Sequence, residues 1–412
     1  MKTRYKYILF PLLMLISMAG YCQKGGRTFR RELSEVHDEW HKLILPESIY
    51  AKAKSDFSDV RVVGVNSKGD SLEAPYILQV LNEKFIDKDV EFAILNKSRK
   101  KDIWYYTFEI PEVVSMNEIL LSFNTSNFDW KVSLAGGQSL DDWFTILEDY
   151  RIISIKSSLT SYQFTKLSFP SSKYKYYRVG VTSLVDPEFL SANLRLRTNI
   201  TGTELKYQVV SIKGSLEEST KQLSFFISLQ QPSLVSKIAF KVNSKFDYCR
   251  PISIQTLEDS VKTQKGWHYN YQTIYKGNLS SLEESEFSFN EILSTRMKIV
   301  IDNFDNAPLD IDSFQVSGDS HQMIIRFDKE AHYYLTYGNR DLEKPIYDII
   351  NFEDKIPQEL KLIRLGTEEV IAGLQEESVK PLFANKNWLW AIMVVIIFVL
   401  GYFSLGMIRQ KE

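Results

Sequence analysis

The chain has 412 residues, 44% of them apolar, with 50 Lys and Arg against 52 Asp and Glu and a formal net charge of −2. Balanced charge with no basic stripe excludes nucleic acid as an expected partner. Five His, two Cys and no G-x-S-x-G leave no constellation for nucleophilic catalysis, so no catalytic residue is assigned.

Residues 1–22 read as a secretory signal peptide. Lys2, Arg4 and Lys6 precede an apolar core, YILFPLLMLISMAG, too short to serve as a stable anchor. Gly20 and Cys22 suit the cleavage subsites, giving a mature chain from Gln23. Lipidation of Cys22 is the rival reading; Tyr21 stands where that processing wants a small residue, and the plain signal is preferred. Cys249 is then alone, and a chain of this length buries enough core without a disulfide.

A β module is expected over 23–98. HDEWH at 37–41 sets His37 and His41 at the i, i+4 spacing of H-E-x-x-H zinc proteases. Asp38 stands where that chemistry needs Glu, and Pro46 ends any helix soon after, so a surface or edge segment is preferred and no metal ligand is assigned. DVRVVGVNSKGDSLEAPYIL, 59–78, reads as a hairpin around NSKGD.

Residues 99–198 and 204–318 read as two β-sandwiches related by duplication. IWYYTFEI, 103–110, alternates Trp104, Tyr106, Phe108 and Ile110 against Tyr105, Thr107 and Glu109, the period of a strand with one buried face. Strands YTFEI and EILLSFN precede SNFDWKVSLAGG, 126–137; strands FFISL and KIAFKVN precede SKFDYCRPISIQ, 244–255. Each copy continues with a polar loop and a lone Trp, Trp143 or Trp267, and closes on a strand carrying Arg178 or Arg296. Phe128 is therefore expected over Phe246, and Trp143 over Trp267. In the repeated triplet the Phe plugs the core and Asp129 and Asp247 accept backbone N–H groups of the turn, a structural role preferred over ligand or metal contact. DNFDNAPLDID, 302–312, is rich in acceptors, and Ca²⁺ is the cation it would suit. Its spacing is not that of an EF-hand, so a solvated turn is preferred and no cofactor is expected.

Residues 319–385 read as a membrane-proximal β and linker region with strands MIIRFD and YYLTYGN. WLWAIMVVIIFVLGYFSLGMI, 388–408, is an uncharged apolar run long enough to span a bilayer as a transmembrane helix. Trp388 and Trp390 begin it, and Arg409 and Lys411 follow in a cytoplasmic tail, 409–412. The expectation is a single-pass type I protein of the cell envelope, its ectodomain outside the cytoplasm on the periplasmic side of the inner membrane. Gly401 and Ser404 offer a face for a multi-spanning partner.

GGQSLDDW, then FTIL, then YYRV, is similar to the discoidin or galactose-binding-like sandwich, over roughly 100–190 and more loosely 220–318. The resemblance implies sugar or lipid binding; TLEDSVKTQKGW, 256–267, departs from it in the second copy. EWHKLILPESIY, FSDVRVVGVNSKGDSLEAPY, FDW, YYRV and YYLTYGN resemble an uncharacterised bacterial exported family, a domain of unknown function. Trp40, Leu45, Pro46, Tyr50, Asp59, Arg61, Gly69, Pro75, Tyr76, Tyr337, Gly338 and Asn339 stand at its recurring positions, with Val60 where Leu is commoner. That resemblance implies an anchored envelope protein beside a multi-spanning neighbour and brings no activity.

The expected fold is mainly β: tandem antiparallel β-sandwiches plus one C-terminal transmembrane helix. The expected function is a non-catalytic, membrane-anchored envelope ectodomain that binds glycan or scaffolds a multi-spanning membrane protein. The alternative is a hydrolase acting on an envelope polymer.

Overall fold

The computed structural model describes residues 28–264 and 266–371, together with Met393, Val394, Ile397 and Leu400 as helical positions. The expected signal peptide, Cys22, the remainder of the 388–408 run with Gly401 and Ser404, and the tail 409–412 lie outside the described residues. Among the described residues no helix is long and apolar enough to cross a membrane.

The chain is mainly β, and its sheets, antiparallel except where Trp40–Ile44 pairs in parallel with Lys361–Leu362, build three sandwiches. The first, called outer here, is made from both ends of the described chain. Its five-stranded sheet runs in the order Arg364–Ile371, Thr28–Ser34, His332–Tyr337, Arg61–Val65, Ser71–Glu73. Its four-stranded sheet runs Lys361–Leu362, Trp40–Ile44, His321–Arg326, Tyr76–Val80. The expected modules 23–98 and 319–385 are thus one body, with Thr28 paired to Ile371. One core joins them, in which Leu43, Val62, Met323 and Leu335 are all buried. A single helical turn, Glu47–Tyr50, follows Pro46 and drops Ile49 and Tyr50 into that core.

A buried carboxylate fastens the two ends. Asp59 is fully buried and accepts the N–H of Lys54 at 2.9 Å and of Gly338 at 2.8 Å. Gly338 has φ 93°, a backbone conformation that a side chain would strain. Tyr76 donates to the Val60 carbonyl at 2.8 Å, and Arg61 donates to the carbonyls of Ser58 and Val60. These positions of the exported-family resemblance are therefore framework.

The first inner sandwich takes in two strands assigned above to the N-terminal module. Its six-stranded sheet runs Ser161–Phe164, Phe144–Lys156, Phe128–Gly137, Tyr176–Thr182, Ile103–Glu109, Ala93–Lys100. The facing sheet runs Lys166–Ser172, Met116–Phe123, Phe189–Ile200, Lys84–Asp89. Between them lie Phe108, Ile119, Leu134, Leu167 and Val179, each almost wholly buried. The alternation of IWYYTFEI supplies one wall, as a half-buried strand requires.

The second inner sandwich keeps that strand order in both layers. One layer runs Gly266–Ser280, Cys249–Thr263, the later half of Glu286–Asp302, the earlier half of Gln222–Asn243, Val209–Glu217. The other runs through the earlier half of Glu286–Asp302, the later half of Gln222–Asn243, Asp310–Asp319 and Glu204–Lys206. Two long strands thus pass from layer to layer, where the first inner sandwich uses separate strands. The register of Gln222–Asn243 breaks between Ser228 and Ser233, around Pro232, which has no N–H for a ladder.

The three sandwiches meet where the chain crosses between them. Leu81 N–H donates to Ser320 O at 2.8 Å, Ser320 N–H to Thr203 O at 2.9 Å, and Thr203 N–H to Leu81 O at 2.7 Å. This ring of backbone bonds is closed on itself.

Candidate functional site

The loop GGQSLDDW shapes the outward face of the six-stranded sheet. A Cβ on Gly136 would lie 2.2 Å from the Tyr174 ring, and one on Gly137 would lie 2.3 Å from the Asp142 carbonyl. Only bare backbone lets the loop fold this close. Ser139 Oγ accepts the N–H of Asp141 and of Asp142, and Trp143 Nε1 donates to the Leu140 carbonyl at 2.8 Å. The loop so braced lays the indole over Arg178, whose guanidinium carbon is 3.8 Å from the ring centroid.

Arg178 points outward because Tyr177 and Val179, its neighbours on Tyr176–Thr182, are buried in the core. Its Nε donates to Thr107 Oγ1 at 3.3 Å across the ladder. Tyr105 shares the face, its ring 6.0 Å from the guanidinium and lying across Gly180. Burial pushes the Arg178 pKa down from its ordinary value, though a guanidinium stays charged. Among the described residues no carboxylate pairs with it. A half-buried cation stacked on an aromatic ring, with no acid to neutralise it, is suited to a polar ligand that brings its own acceptors.

The second copy keeps the pair with a different ring. Arg296 lies 5.3 Å from the centroid of Tyr269, and Trp267 sits two residues further out on the hairpin arm, 58% exposed. Trp143 and Trp267 are thus not equivalents. Tyr105 and Thr107 were not singled out as site residues in the sequence, although the period-2 alternation of IWYYTFEI puts both opposite the core side.

No family model matches the chain, and no curated protein matches it. Among solved structures the chain is similar to the CBM32-1 and CBM32-2 domains of Clostridium perfringens ZmpB, at 8% identity over 57% of this chain and 92% of that one, with a TM-score of 0.21. It is similar to allantoicase of Saccharomyces cerevisiae at 11% identity, 68% and 100% coverage and TM-score 0.19. A glycoside hydrolase 29 family member from an unknown rumen bacterium follows at 12% identity and TM-score 0.19, over 54% of this chain; the chain spans 40% of that hydrolase's length. At such TM-scores these likenesses carry no argument about ligand or reaction, and the sandwich reading stands on the strand order above.

Asp129 and Asp247 do not cap turns. Arg151 donates Nε and one terminal nitrogen to the two oxygens of Asp129, at 2.8 and 2.7 Å, and its other terminal nitrogen to Asp247 at 2.5 Å. Asp129 lies within a strand, where its outward side chain meets the Arg151 strand instead of a turn. Phe128 is buried and stacks on Trp130 at 3.9 Å, whereas Phe246 is 83% exposed in a bend ahead of its strand. The expected superposition of the two Phe therefore fails.

HDEWH forms no helix. His41 is buried in Trp40–Ile44 with its ring against Phe327, and Asp38 pairs with Lys361 at 2.7 Å. His37, Asp38 and Glu39 are exposed as a surface segment, whereas His41 belongs to the core. In 302–312 the acceptors serve the turn: Asp302 takes the Phe304 N–H, and Asn303 Oδ1 accepts from Arg250. Among the described residues no group of three His, Cys, Asp or Glu is placed to hold a metal ion. Cys249 is half-buried, and burial pushes its thiol pKa up, away from the reactive thiolate.

A second cleft lies where the sandwiches join, a pocket of about 360 Å³ whose lining includes Glu83, Glu204, Lys237 and Asp319. Burial raises the Asp319 pKa. Behind it the buried His321 faces Glu291 at 3.2 Å.

Proposed function

We propose that this chain is a non-catalytic binding protein of the cell envelope, whose first inner sandwich takes a carbohydrate on the face of Trp143, Arg178 and Tyr105. The observation that carries the reading is the indole stacked on an Arg178 that has no acidic partner among the described residues. Aromatic rings offer the apolar face of a sugar a flat partner, and a guanidinium fork donates to its hydroxyl or carboxyl oxygens. Anchoring by the apolar run 388–408, with the ectodomain outside the cytoplasm and a multi-spanning neighbour in the membrane, belongs to the same proposal and rests on the charge pattern of the sequence.

A glycan array probed with the purified full-length chain tests it. Binding to a defined glycan that falls at least tenfold in Trp143→Ala and Arg178→Ala supports the site; equal binding by both variants removes it. A second reading, hydrolysis of an envelope polymer, has one observation in its favour: Asp319, with its raised pKa, opens on a cleft that holds two more carboxylates. Release of reducing ends from envelope polymer, abolished by Asp319→Asn, would establish that reading in place of the first.

A further inference from the structure

The second inner sandwich presents an outward face of which the sequence singled out only Trp267 and Arg296. Ile227, Ile254, Met297 and Ile299 are buried in its core, so the residues that alternate with them face out. Trp267, Tyr269 and Tyr271 recur every second residue on Gly266–Ser280 and so lie in a row on one face. Phe226 completes the aromatic surface, with its ring 6.1 Å from that of Tyr271.

Cations are threaded through these rings. Arg296 lies 5.3 Å from the Tyr269 ring centroid, and Lys298 Nζ lies 5.5 Å from Phe226 and 5.9 Å from Tyr271. Residues directly opposite on antiparallel strands share a face, which adds Lys262, opposite Trp267, and Lys213, opposite Phe226. Among the described residues none of these four cations is in an ion pair. On the ladders the acids of the face stand at its margin, Glu217 and Asp302 both opposite Gln222 at one end, with Glu258 at a bulge in Cys249–Thr263.

We propose that this face binds an acidic polysaccharide, a chain of sugar rings carrying carboxylates, laid across the strands. The rings of Trp267, Tyr269 and Tyr271 take sugar faces, and Arg296, Lys298, Lys262 and Lys213 take the acidic groups. This site is separate from the Trp143 face and does not rest on it. A single-stranded nucleic acid also combines stacking with negative charge. The formal charge of −2 on the whole chain supplies no long-range field for either polyanion, so the oligonucleotide is set directly against the polysaccharide in the test.

The test measures binding of the full-length chain in detergent to polygalacturonate, to its fully methyl-esterified form, and to a single-stranded oligonucleotide. Polygalacturonate should bind, weaken as salt rises, and lose at least tenfold in the double variant Arg296→Gln, Lys298→Gln and in Trp267→Ala, Tyr269→Ala. These side chains are on the surface, and unchanged melting temperatures would show that the fold is kept. Trp143→Ala should leave this binding intact, separating a failure here from a failure of the first site. Equal affinity for the esterified polymer, full binding by either double variant, absence of polygalacturonate binding, or tighter binding to the oligonucleotide would each overturn the proposal.

Discussion

Asp129 and Asp247, one from each inner sandwich, hold the same guanidinium, that of Arg151. The repeated Phe-Asp-aromatic triplet is therefore a clamp between the copies. Tyr162, donating to Glu283 at 2.8 Å, and Asn278, donating to the Ser161 carbonyl at 3.1 Å, extend the same seam.

Arg151→Ala should loosen the angle between the inner sandwiches while leaving each folded. Distances between spin labels, one on each sandwich, should broaden in the variant; an unchanged distribution would show that the seam holds without the arginine. The pH dependence has a definite sign. Arg151, and after it Ser281, hold the Asp247 carboxyl below its ordinary value of 3.8. A depressed acid contributes its coupling above the ordinary value and loses it as pH falls through the depressed one. The label distances should therefore stay narrow at pH 5 and broaden only below pH 3.8.

Asp59→Ala should destabilise the outer sandwich by about 2–4 kcal/mol, because two buried N–H donors, of Lys54 and Gly338, lose their acceptor. Denaturant titration followed by the fluorescence of Trp40 would read it. A shift below about 1 kcal/mol would mean that the loops re-pair on their own.

Gly180→Val should weaken glycan binding at the first site several-fold. Even a Cβ there would lie 2.7 Å from Ser133 Oγ and 3.2 Å from the Tyr105 ring, so Tyr105 has to leave its place on the face. Arg178→Lys should also weaken binding, since a lysine keeps the charge but loses the planar stack on Trp143. Affinity measured on the glycan found by the array checks both, and wild-type affinity in Arg178→Lys would reduce the role of Arg178 to charge alone.

Much of this face was legible in the chain. Alternation marked Ile103–Glu109 as a strand, and GGQSLDDW and YYRV marked the loop and the arginine it covers. The long-range pairings were not legible, because nothing local in RRELS tells Phe29 that its neighbours are Tyr337 and Val370. Spacing also misled where the second copy lengthened its hairpin. The lone Trp267 moved out along the arm, and Tyr269 took the ring position over Arg296. A pattern of residue types cannot register that exchange, since Tyr as well as Trp offers a cation a ring face.

Asp319→Asn should stabilise the fold at neutral pH. Burial raises this carboxyl, so the folded state binds its proton more tightly than the unfolded state does. Stability then falls as pH rises from the ordinary value of 3.8 through the raised one, and the variant should lack that fall. Melting temperatures of both proteins between pH 4 and 8 would show it; parallel curves would place the charge in water.

The ring of bonds among Leu81, Thr203 and Ser320, together with the pairing of Thr28 to Ile371, decides how the molecule bears mechanical load. Tension applied between the two ends of the described chain enters adjacent antiparallel strands at the same edge. It opens their bonds one after another like a zip, and the inner sandwiches stay outside its path. Tension applied through a ligand on an inner sandwich instead reaches the outer one across the three-way node, reinforced beside it by Leu234, which packs in the outer core, and by Ser233 Oγ donating to Glu47 at 2.8 Å, so that several contacts resist together. The same protein would thus yield softly when drawn from its ends and hold firmly when pulled by what it grips.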